Sequence, residues 1–197
     1  MQVLLKSIVA SCAFLLSMSS TPALALEVSG VKLEDNIKVA GKDLKLNGAG
    51  VRVKAIFKVY VAGLYLPEKK TNVADILAMT GPRRVNIVMM RDVSADDFGQ
   101  SFITGLNNNS DKSEKTKIMN QTMQFGEMFQ ALPSIKKGDV LTLDWIPGTG
   151  TVSTMNGKKL GEAIPDIAFY NAVLKIWLGE NPADSGLKPQ LLGTAKD

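Results

Sequence analysis

The first half of the chain places apolar residues in short extended runs separated by turns. Residues 31–39 and 42–47 read as strands, and Ala40-Gly41 between them is typical of a tight turn. A longer run over residues 50–66 is rich in Val, Ile, Phe and Tyr, which favours a buried strand. Small residues along this run permit close approach of another backbone or a bulge.

The middle of the chain changes to helical spacing. A short helix is predicted over residues 73–79, capped by Asn72, and a buried strand over 84–90. Ser94 opens a capping sequence for a further helix, and another is predicted over 112–132. The apolar face of the helix over 112–132 is expected to consist of Ile118, Met119, Met123, Phe125, Met128 and Phe129.

The last third returns to strands and then ends in helices. Three strands are predicted, over residues 139–146, 151–155 and 158–162. Asn156-Gly157 is a strong hairpin signal between the last two strands. An apolar helix over 166–179 and a short one over 187–192 follow. Consecutive strands with short turns and helices in separate blocks predict an α+β protein, in which an antiparallel sheet is covered by helices.

The N-terminal residues have the pattern of a secretory signal peptide. Lys6 supplies a basic start, residues 7–18 are apolar, and Ala23-Leu24-Ala25 fits a cleavage site with small residues. We therefore expect residues 1–25 to be removed and residues 26–197 to form one domain in the periplasm or outside the cell. No later segment is long and uncharged enough to predict a membrane span.

Composition excludes several kinds of chemistry. The chain has no histidine, and its one cysteine, Cys12, lies in the predicted signal peptide. Disulfides, thiolate catalysis and Ser–His triads are thereby excluded, and neither a metal nor a cofactor is expected. Lys6 is the only charged residue before Glu27, so the formal net charge of +4 becomes +3 after cleavage.

Basic residues occur as scattered pairs rather than as a continuous stripe, which does not support nucleic-acid binding. Each pair is expected at a solvated turn or at the end of an element. The pairs are Lys69-Lys70, Arg83-Arg84, Lys136-Lys137 and Lys158-Lys159.

Arg52 and Tyr60 stand out as polar residues within the long apolar run. A buried guanidinium keeps its proton and must find an anion, carbonyl groups or water. In one continuous strand the two side chains would be about 26 Å apart and could not share a ligand. If the chain instead reverses near residues 55–57, they would converge. No Gly or Pro marks such a reversal, and the residues alone leave both arrangements open.

Several segments resemble the chalcone isomerase-like superfamily, and most closely its secreted bacterial branch. They are NGAGVR with KVYVAGLYLP, RDVSADDFGQSFITGLNNN, GDVLTLDWIPGTGTVSTMNGKKLG and IAFYNAVLKIWLG. Together they cover nearly all of the chain after the signal peptide. The resemblance implies an open-faced β-sandwich, a large antiparallel sheet under a layer of helices, with a ligand cleft between the two layers.

The enzymes of this superfamily close a chalcone to a flavanone by adding a phenoxide to an enone. The resemblance implies that Arg52 corresponds to their arginine, which steadies negative charge. Tyr60 stands at the position of their strand threonine, and Phe98 falls near their helix tyrosine but has no hydroxyl. Loss of such donors weakens oxyanion stabilisation, so chalcone isomerase activity is not expected. An isomerase or intramolecular lyase that uses Arg52 on another enone is one alternative.

Plant fatty-acid-binding proteins of the same fold hold a carboxylate with an arginine and a strand tyrosine, which Arg52 and Tyr60 resemble. The resemblance therefore implies a non-catalytic protein that binds a small apolar carboxylate such as a fatty acid. The candidate residues for the wall of its cleft are Phe98, Phe102, Met123 and Phe129.

A further alternative is a structural or protein-interaction domain with a closed cleft. In that case Arg52 would pair with an internal carboxylate, of which the candidates are Asp92, Asp96 and Asp144, and Tyr60 would fill the core. The oligomeric state stays open.

Overall fold

The computed structural model describes residues 25–132 and 134–195. The predicted signal peptide lies outside the described residues except for Ala25, the first residue of strand β1. The strands are β1 (Ala25–Val28), β2 (Val31–Glu34), β3 (Asn36–Val39), β4 (Lys42–Lys54), β5 (Phe57–Leu66), β6 (Arg83–Met89), β7 (Val140–Ile146), β8 (Gly150–Met155) and β9 (Lys158–Ile164). The helices are α1 (Val73–Ala78), α2 (Ala95–Asn108), α3 (Lys112–Lys117), α4 (Met119–Gln130), α5 (Ile167–Leu178) and α6 (Leu187–Leu191).

Strands β3 to β9 form one seven-stranded sheet in the order of the sequence, and each strand is antiparallel to its neighbour. Strands β1 and β2 form a separate two-stranded sheet. Helices α2, α4 and α5 pack on one another and on the large sheet. The predicted α+β class, an antiparallel sheet covered by helices, is therefore confirmed. No helix in the described ranges is long and apolar enough to cross a membrane.

The two faces of the sheet have separate apolar cores, because successive side chains of a strand point to opposite sides. On β5, Tyr60, Ala62 and Leu64 belong to the larger cluster, which contains the residues of the helices. Val61 and Tyr65 belong to the smaller cluster on the other face, together with residues of β2, β3 and β4. Any site that involves Tyr60 is thus placed on the face that the helices cover.

The apolar run over residues 50–66 is two strands rather than one. The chain turns at Ala55-Ile56, and β4 then pairs with β5 along most of its length. Ala55 takes the left-handed conformation, with φ of 55°. A two-residue hairpin loop requires such a conformation, which Gly or Asn usually supplies. Because the turn contains neither Gly nor Asn, the usual turn residues do not predict it.

The helix predicted over 112–132 is interrupted at Ile118, where α3 ends and α4 begins. Asp111 and Glu114 form a capping box around the start of α3, which has no buried residues. The predicted apolar face is only partly correct. Ile118, Phe125, Met128 and Phe129 are buried, whereas Met119 and Met123 are 56% and 61% exposed. Met119 and Met123 lie on the side of α4 away from Phe125 and Phe129, because each residue turns the helix by about 100°.

One basic pair lies at the end of an element, as expected, but is not solvated. Arg83 and Arg84 begin strand β6, and Arg83 is completely buried. Its guanidinium donates to the Ile76 carbonyl oxygen at 2.8 Å and to Asn171 Oδ1 at 3.1 Å. Arg84 points to the opposite face and forms a two-bond ion pair with Asp144, with both N–O distances at 2.6 Å.

Candidate functional site

The β4–β5 hairpin brings Arg52 and Tyr60 together. They are directly opposed residues of the two strands, and the guanidinium carbon of Arg52 lies 5.5 Å from the centre of the Tyr60 ring. The strand register shifts by one residue immediately after this pair. Of the two arrangements that the sequence leaves open, the structure shows the convergent one.

Two glycines shape the strand that carries Arg52. A Cβ atom on Gly48 would lie 2.1 Å from the Gln190 carbonyl oxygen, and one on Gly50 would lie 1.6 Å from Gln190 Oε1. Helix α6 therefore rests directly on the backbone of β4. Gln190 Oε1 also accepts a hydrogen bond from the Val51 amide at 3.2 Å. The small residues of the Gly-x-Gly-x-Arg segment thus allow α6 to cover the strand next to Arg52.

Arg52 has no ion-pair partner within the described ranges. Its Nε atom is buried and makes no hydrogen bond there. Two of the carboxylates that the sequence suggested as partners are engaged elsewhere, since Asp144 binds Arg84 and Asp92 binds Lys136. Asp96 does not form an ion pair with Arg52 either, because none of its carboxylate oxygens lies within 4.0 Å of an Arg52 nitrogen. The alternative in which Arg52 pairs with one of these three residues is therefore wrong.

Asp184 is the carboxylate whose charge reaches this site. Its Oδ2 accepts a hydrogen bond from the Val53 amide at 2.7 Å. Its Oδ1 accepts from the amides of Gly186 and Leu187 at 2.8 and 3.1 Å. Three backbone donors thus occupy both oxygens, and Asp184 fixes the segment before α6 to the edge of β4 without forming an ion pair with Arg52.

Tyr60 is a neutral hydroxyl donor at this site. Burial raises its pKa to about 12, although Arg52 and the hydrogen bond from Trp177 act in the opposite direction. The Trp177 indole N–H donates to the Tyr60 oxygen at 2.7 Å. No described residue accepts the proton of the Tyr60 hydroxyl. The phenol therefore offers a hydrogen-bond donor beside the permanent positive charge of Arg52.

An aromatic cluster borders Tyr60 on the side of the helices. The Phe98 ring lies 6.3 Å from the Tyr60 ring, edge to face, and packs on Phe102 and Phe129 at 5.0 and 5.7 Å. These three phenylalanines are at most 3% exposed. Three of the four predicted wall residues are therefore brought together next to Tyr60, where they fill the space between sheet and helices.

Met123 does not belong to this cluster, and its placement in the same wall is corrected. It is 61% exposed and lines a groove of about 310 Å³ between the end of α2 and the α3–α4 segment. Leu106 and Ile118 form the apolar floor of this groove, and Lys115 lies at its side. Because α2 rises about 1.5 Å per residue, Leu106 is about 12 Å along the helix from Phe98.

Sequence reasoning missed two residues of the site. Trp177 lies in the helix that the sequence predicts as apolar, but its buried indole N–H needs an acceptor, and Tyr60 is that acceptor. No sequence pattern indicated a role for Asp184, because it binds backbone amides that only the folded chain brings together. Within the described ranges, no three acidic residues come close enough to one another to hold a metal ion.

Comparison with known proteins gives a family and a fold. The family model described as chalcone isomerase-like matches residues 25–193. The crystal structure of an Arabidopsis thaliana fatty-acid binding protein superposes with a TM-score of 0.65 at 15% sequence identity. The alignment covers 83% of this chain and 92% of that chain. A search of the curated proteins finds no match.

Proposed function

The chain belongs to the chalcone isomerase-like family, and from this premise we propose that it is a non-catalytic binding protein for a small apolar carboxylate such as a fatty acid. The carboxylate binds between Arg52 and Tyr60, and the apolar chain lies among the phenylalanines between sheet and helices. The fatty-acid binding protein with the same fold supports this proposal at the level of architecture.

One observation carries the proposal: the Arg52 guanidinium lies against the Tyr60 ring, and each of the two side chains has a donor without an acceptor in the described ranges. The buried Nε of Arg52 has no partner in the described ranges, and the Tyr60 hydroxyl keeps its proton because burial raises its pKa to about 12. A buried donor that lacks a partner costs about 1–3 kcal/mol. A carboxylate can accept hydrogen bonds from both donors, and its negative charge would balance the positive charge of Arg52.

Binding requires a rearrangement of the aromatic cluster. Phe98, Phe102 and Phe129 pack at ring distances of 5.0–5.7 Å, so an acyl chain needs them to change rotamer or needs α2 to move away from the sheet. Trp177 contacts Phe102 at 5.6 Å and donates to Tyr60. Tryptophan fluorescence, to which Trp177 contributes together with Trp145, therefore reports on ligand entry.

The packing of this cluster favours a second candidate, a structural domain whose cleft stays closed. In that function Arg52 contributes through its contact with the Tyr60 ring, a cation–π interaction worth about 0.5–1 kcal/mol at exposed sites. The two candidates differ in one measurable property, because only the binding protein retains an acyl ligand that depends on Arg52.

An isomerase remains the enzymatic alternative. It would need a proton donor or an ordered water at the position of Phe98, which presents a hydrocarbon ring to Tyr60. Tyr60, as a neutral phenol, can donate a hydrogen bond to an enolate but is a poor base. We therefore assign capture rather than turnover to the site.

We also propose that the protein is exported and cleaved after Ala25. The family match begins at residue 25, the last residue of the segment that has the signal-peptide pattern. Expression in a Gram-negative host followed by fractionation tests this: a periplasmic protein whose N-terminus is Leu26 is expected. A cytoplasmic protein that retains residues 1–25 would refute it.

Native mass spectrometry of the purified protein tests the binding function. The wild type is expected to carry an acyl species, and Arg52→Met is expected to lose at least nine-tenths of it, since a charge-assisted bond of about 1.5–3 kcal/mol disappears. Arg91→Met is the matched control, because Arg91 also lies over a ring, that of Phe57 at 4.6 Å, but outside the site.

Equal acyl content in the wild type and in Arg52→Met would refute the assignment of Arg52. A wild type that takes up no fatty acid on incubation, at unchanged tryptophan fluorescence, would favour the closed structural domain.

A further inference from the structure

The tip of the β4–β5 hairpin presents apolar side chains to solvent. Residues 53–58 are six consecutive exposed positions, directly followed by the buried part of β5. Ile56, Phe57 and Val53 are 85%, 52% and 42% exposed. They are three of the six large hydrophobic residues that are exposed in the described ranges. We call residues 53–58 the hairpin tip.

Folding does not require these residues at the turn. A two-residue loop with a left-handed position is served best by Gly or Asn, yet Ala55 occupies that position with φ of 55°. Ile56, its neighbour, is almost fully exposed, so its burial in the folded chain gains little. A strained turn with an exposed apolar residue indicates that the tip serves a contact outside the chain.

Positive charges surround the apolar tip. Lys54 and Lys58 belong to the hairpin tip and are exposed, and the Arg91 guanidinium carbon lies 4.6 Å from the centre of the Phe57 ring. Of the nearby carboxylates in the described ranges, Asp92 pairs with Lys136, and Asp184 accepts the Val53 amide and is the one negative charge not paired with a cation. The tip therefore combines a small apolar end with three cations around it.

We propose that the hairpin tip docks the protein on a bilayer surface that contains anionic phospholipid. Apolar side chains that enter the boundary between headgroups and acyl chains, below a ring of Lys and Arg, are the features that hold interfacial segments on such a surface. The cations find lipid phosphates at the depth at which Ile56 and Phe57 leave water. This inference goes beyond the proposed ligand binding and does not depend on it.

The docked orientation places the carboxylate site near the membrane. Arg52 directly precedes the tip on β4, and Tyr60 lies opposite it on β5. A ligand that partitions into the bilayer would thus meet the two donors at the base of the same hairpin.

Flotation with phospholipid vesicles tests the docking, with the full chain and without added fatty acid. The wild type is expected to bind vesicles of phosphatidylcholine with phosphatidylglycerol and to bind much less to phosphatidylcholine alone. The double variant Ile56→Ser with Phe57→Ser is expected to lose at least about tenfold in partitioning, because the apolar contribution disappears. Both side chains are exposed, so thermal unfolding of this variant should match the wild type.

Two controls separate the tip from general effects. Met119→Ser with Met123→Ser removes two comparably exposed apolar residues, at 56% and 61%, and should bind as the wild type does. Lys54→Gln should lower partitioning about fivefold, as expected for one cation at an anionic surface, whereas Lys69→Gln should not.

The docking inference would be overturned if the wild type does not bind the vesicles. It would also be overturned if the tip double variant binds them as well as the wild type does. Loss of binding in the methionine double variant alone would place the contact on α4 and overturn it as well. Self-association that requires Ile56 and Phe57, without vesicle binding, would identify a second copy of the chain as the partner instead. A protein that binds fatty acid in solution but not vesicles would refute this inference and leave the proposed function intact.

Discussion

At the scale of single residues, the site depends on how four side chains share donors and acceptors. Arg52 lies over Tyr60, Tyr60 accepts from Trp177, and Asp184 contributes negative charge while its oxygens bind backbone amides. Within the described ranges the Arg52 Nε has no hydrogen-bond partner, and the Tyr60 hydroxyl has no acceptor for its proton. These two donors without acceptors distinguish the site from the surroundings of an ordinary buried tyrosine.

Replacing Tyr60 with Phe should lower stability at neutral pH. The substitution keeps the ring but removes the acceptor of the buried Trp177 N–H, whose hydrogen bond is 2.7 Å long. A buried donor left without a partner costs about 1–3 kcal/mol. Urea unfolding at pH 7 should show a loss of this size, and an unchanged free energy of unfolding would contradict the hydrogen bond.

The same residue should make stability depend on alkaline pH. Burial is the main cause that raises the pKa of Tyr60 to about 12, from an ordinary value near 10. As pH rises above about 10 the unfolded chain loses this proton first, so the free energy of unfolding falls until the folded pKa is passed. Tyr65 adds to the fall, since burial also raises its pKa to about 12.

Urea unfolding between pH 8 and 11.5 measures this dependence. The wild type should keep a constant contribution from Tyr60 below pH 10 and lose it above, and Tyr60→Phe should show a shallower decline. Parallel declines in the two proteins would mean that Tyr60 is not buried as described.

At the scale of elements, two glycines allow α2 to pack closely on its neighbours. A Cβ atom on Gly105 would lie 2.8 Å from Ile176 Cγ2 of α5, and one on Gly99 would lie 3.0 Å from the Phe129 Cβ of α4. The absence of side chains at these two glycines thus lets α2 lie close to α4 and α5 in the helix layer over the candidate site. An acyl ligand would have to enter beneath this layer.

Gly105→Ala is expected to destabilise the fold by about 1 kcal/mol. Overpacking against Ile176 costs about 1–3 kcal/mol, and the better helix propensity of alanine returns up to about 1 kcal/mol. Gly126→Ala on α4 is the matched control, because its nearest contact would be at 3.8 Å. Thermal unfolding should therefore rank Gly126→Ala above the wild type and Gly105→Ala below it, and the reverse order would contradict the packing.

Most elements could be predicted from the sequence where local signals were strong. The Asn156-Gly157 hairpin, the Asn72 cap and the start of α2 at Ser94 all occur as expected. The prediction errors occur where tertiary contacts determine the local conformation. Ala55-Ile56 forms a turn without turn residues, because pairing of β4 with β5 compensates for the strain.

The same limit applies to side chains. A pattern that counted every apolar residue of the segment placed Met123 in the core, but at about 100° per residue Met123 lies nearly opposite Phe125 on α4 and is exposed. Arg83 was expected to be a solvated cation, but it is buried with Ile76, seven residues before it, and Asn171, 88 residues after it, as hydrogen-bond partners. The pairing of Arg52 with Tyr60 could be proposed from resemblance alone, since their separation in sequence allowed two arrangements.

At the scale of the whole molecule, the site lies between two surfaces with different chemistry. The helix layer supplies the apolar cluster around Phe98, and the exposed hairpin tip carries Ile56 and Phe57 among cations. Arg52 stands between them at the base of the hairpin. Such an arrangement suits a protein that takes an amphipathic ligand from an interface and covers its apolar part.

The most direct test of the carboxylate site is a titration of three proteins with two ligands, measured by tryptophan fluorescence. The wild type and Arg52→Met are each titrated with a sixteen-carbon fatty acid and with its methyl ester, and Arg91→Met serves as the control. We predict that the wild type and Arg91→Met bind the acid at least about tenfold more tightly than the ester, whereas Arg52→Met binds both alike. Equal affinity of the wild type for acid and ester, or a preference that survives in Arg52→Met, would contradict a carboxylate held by Arg52.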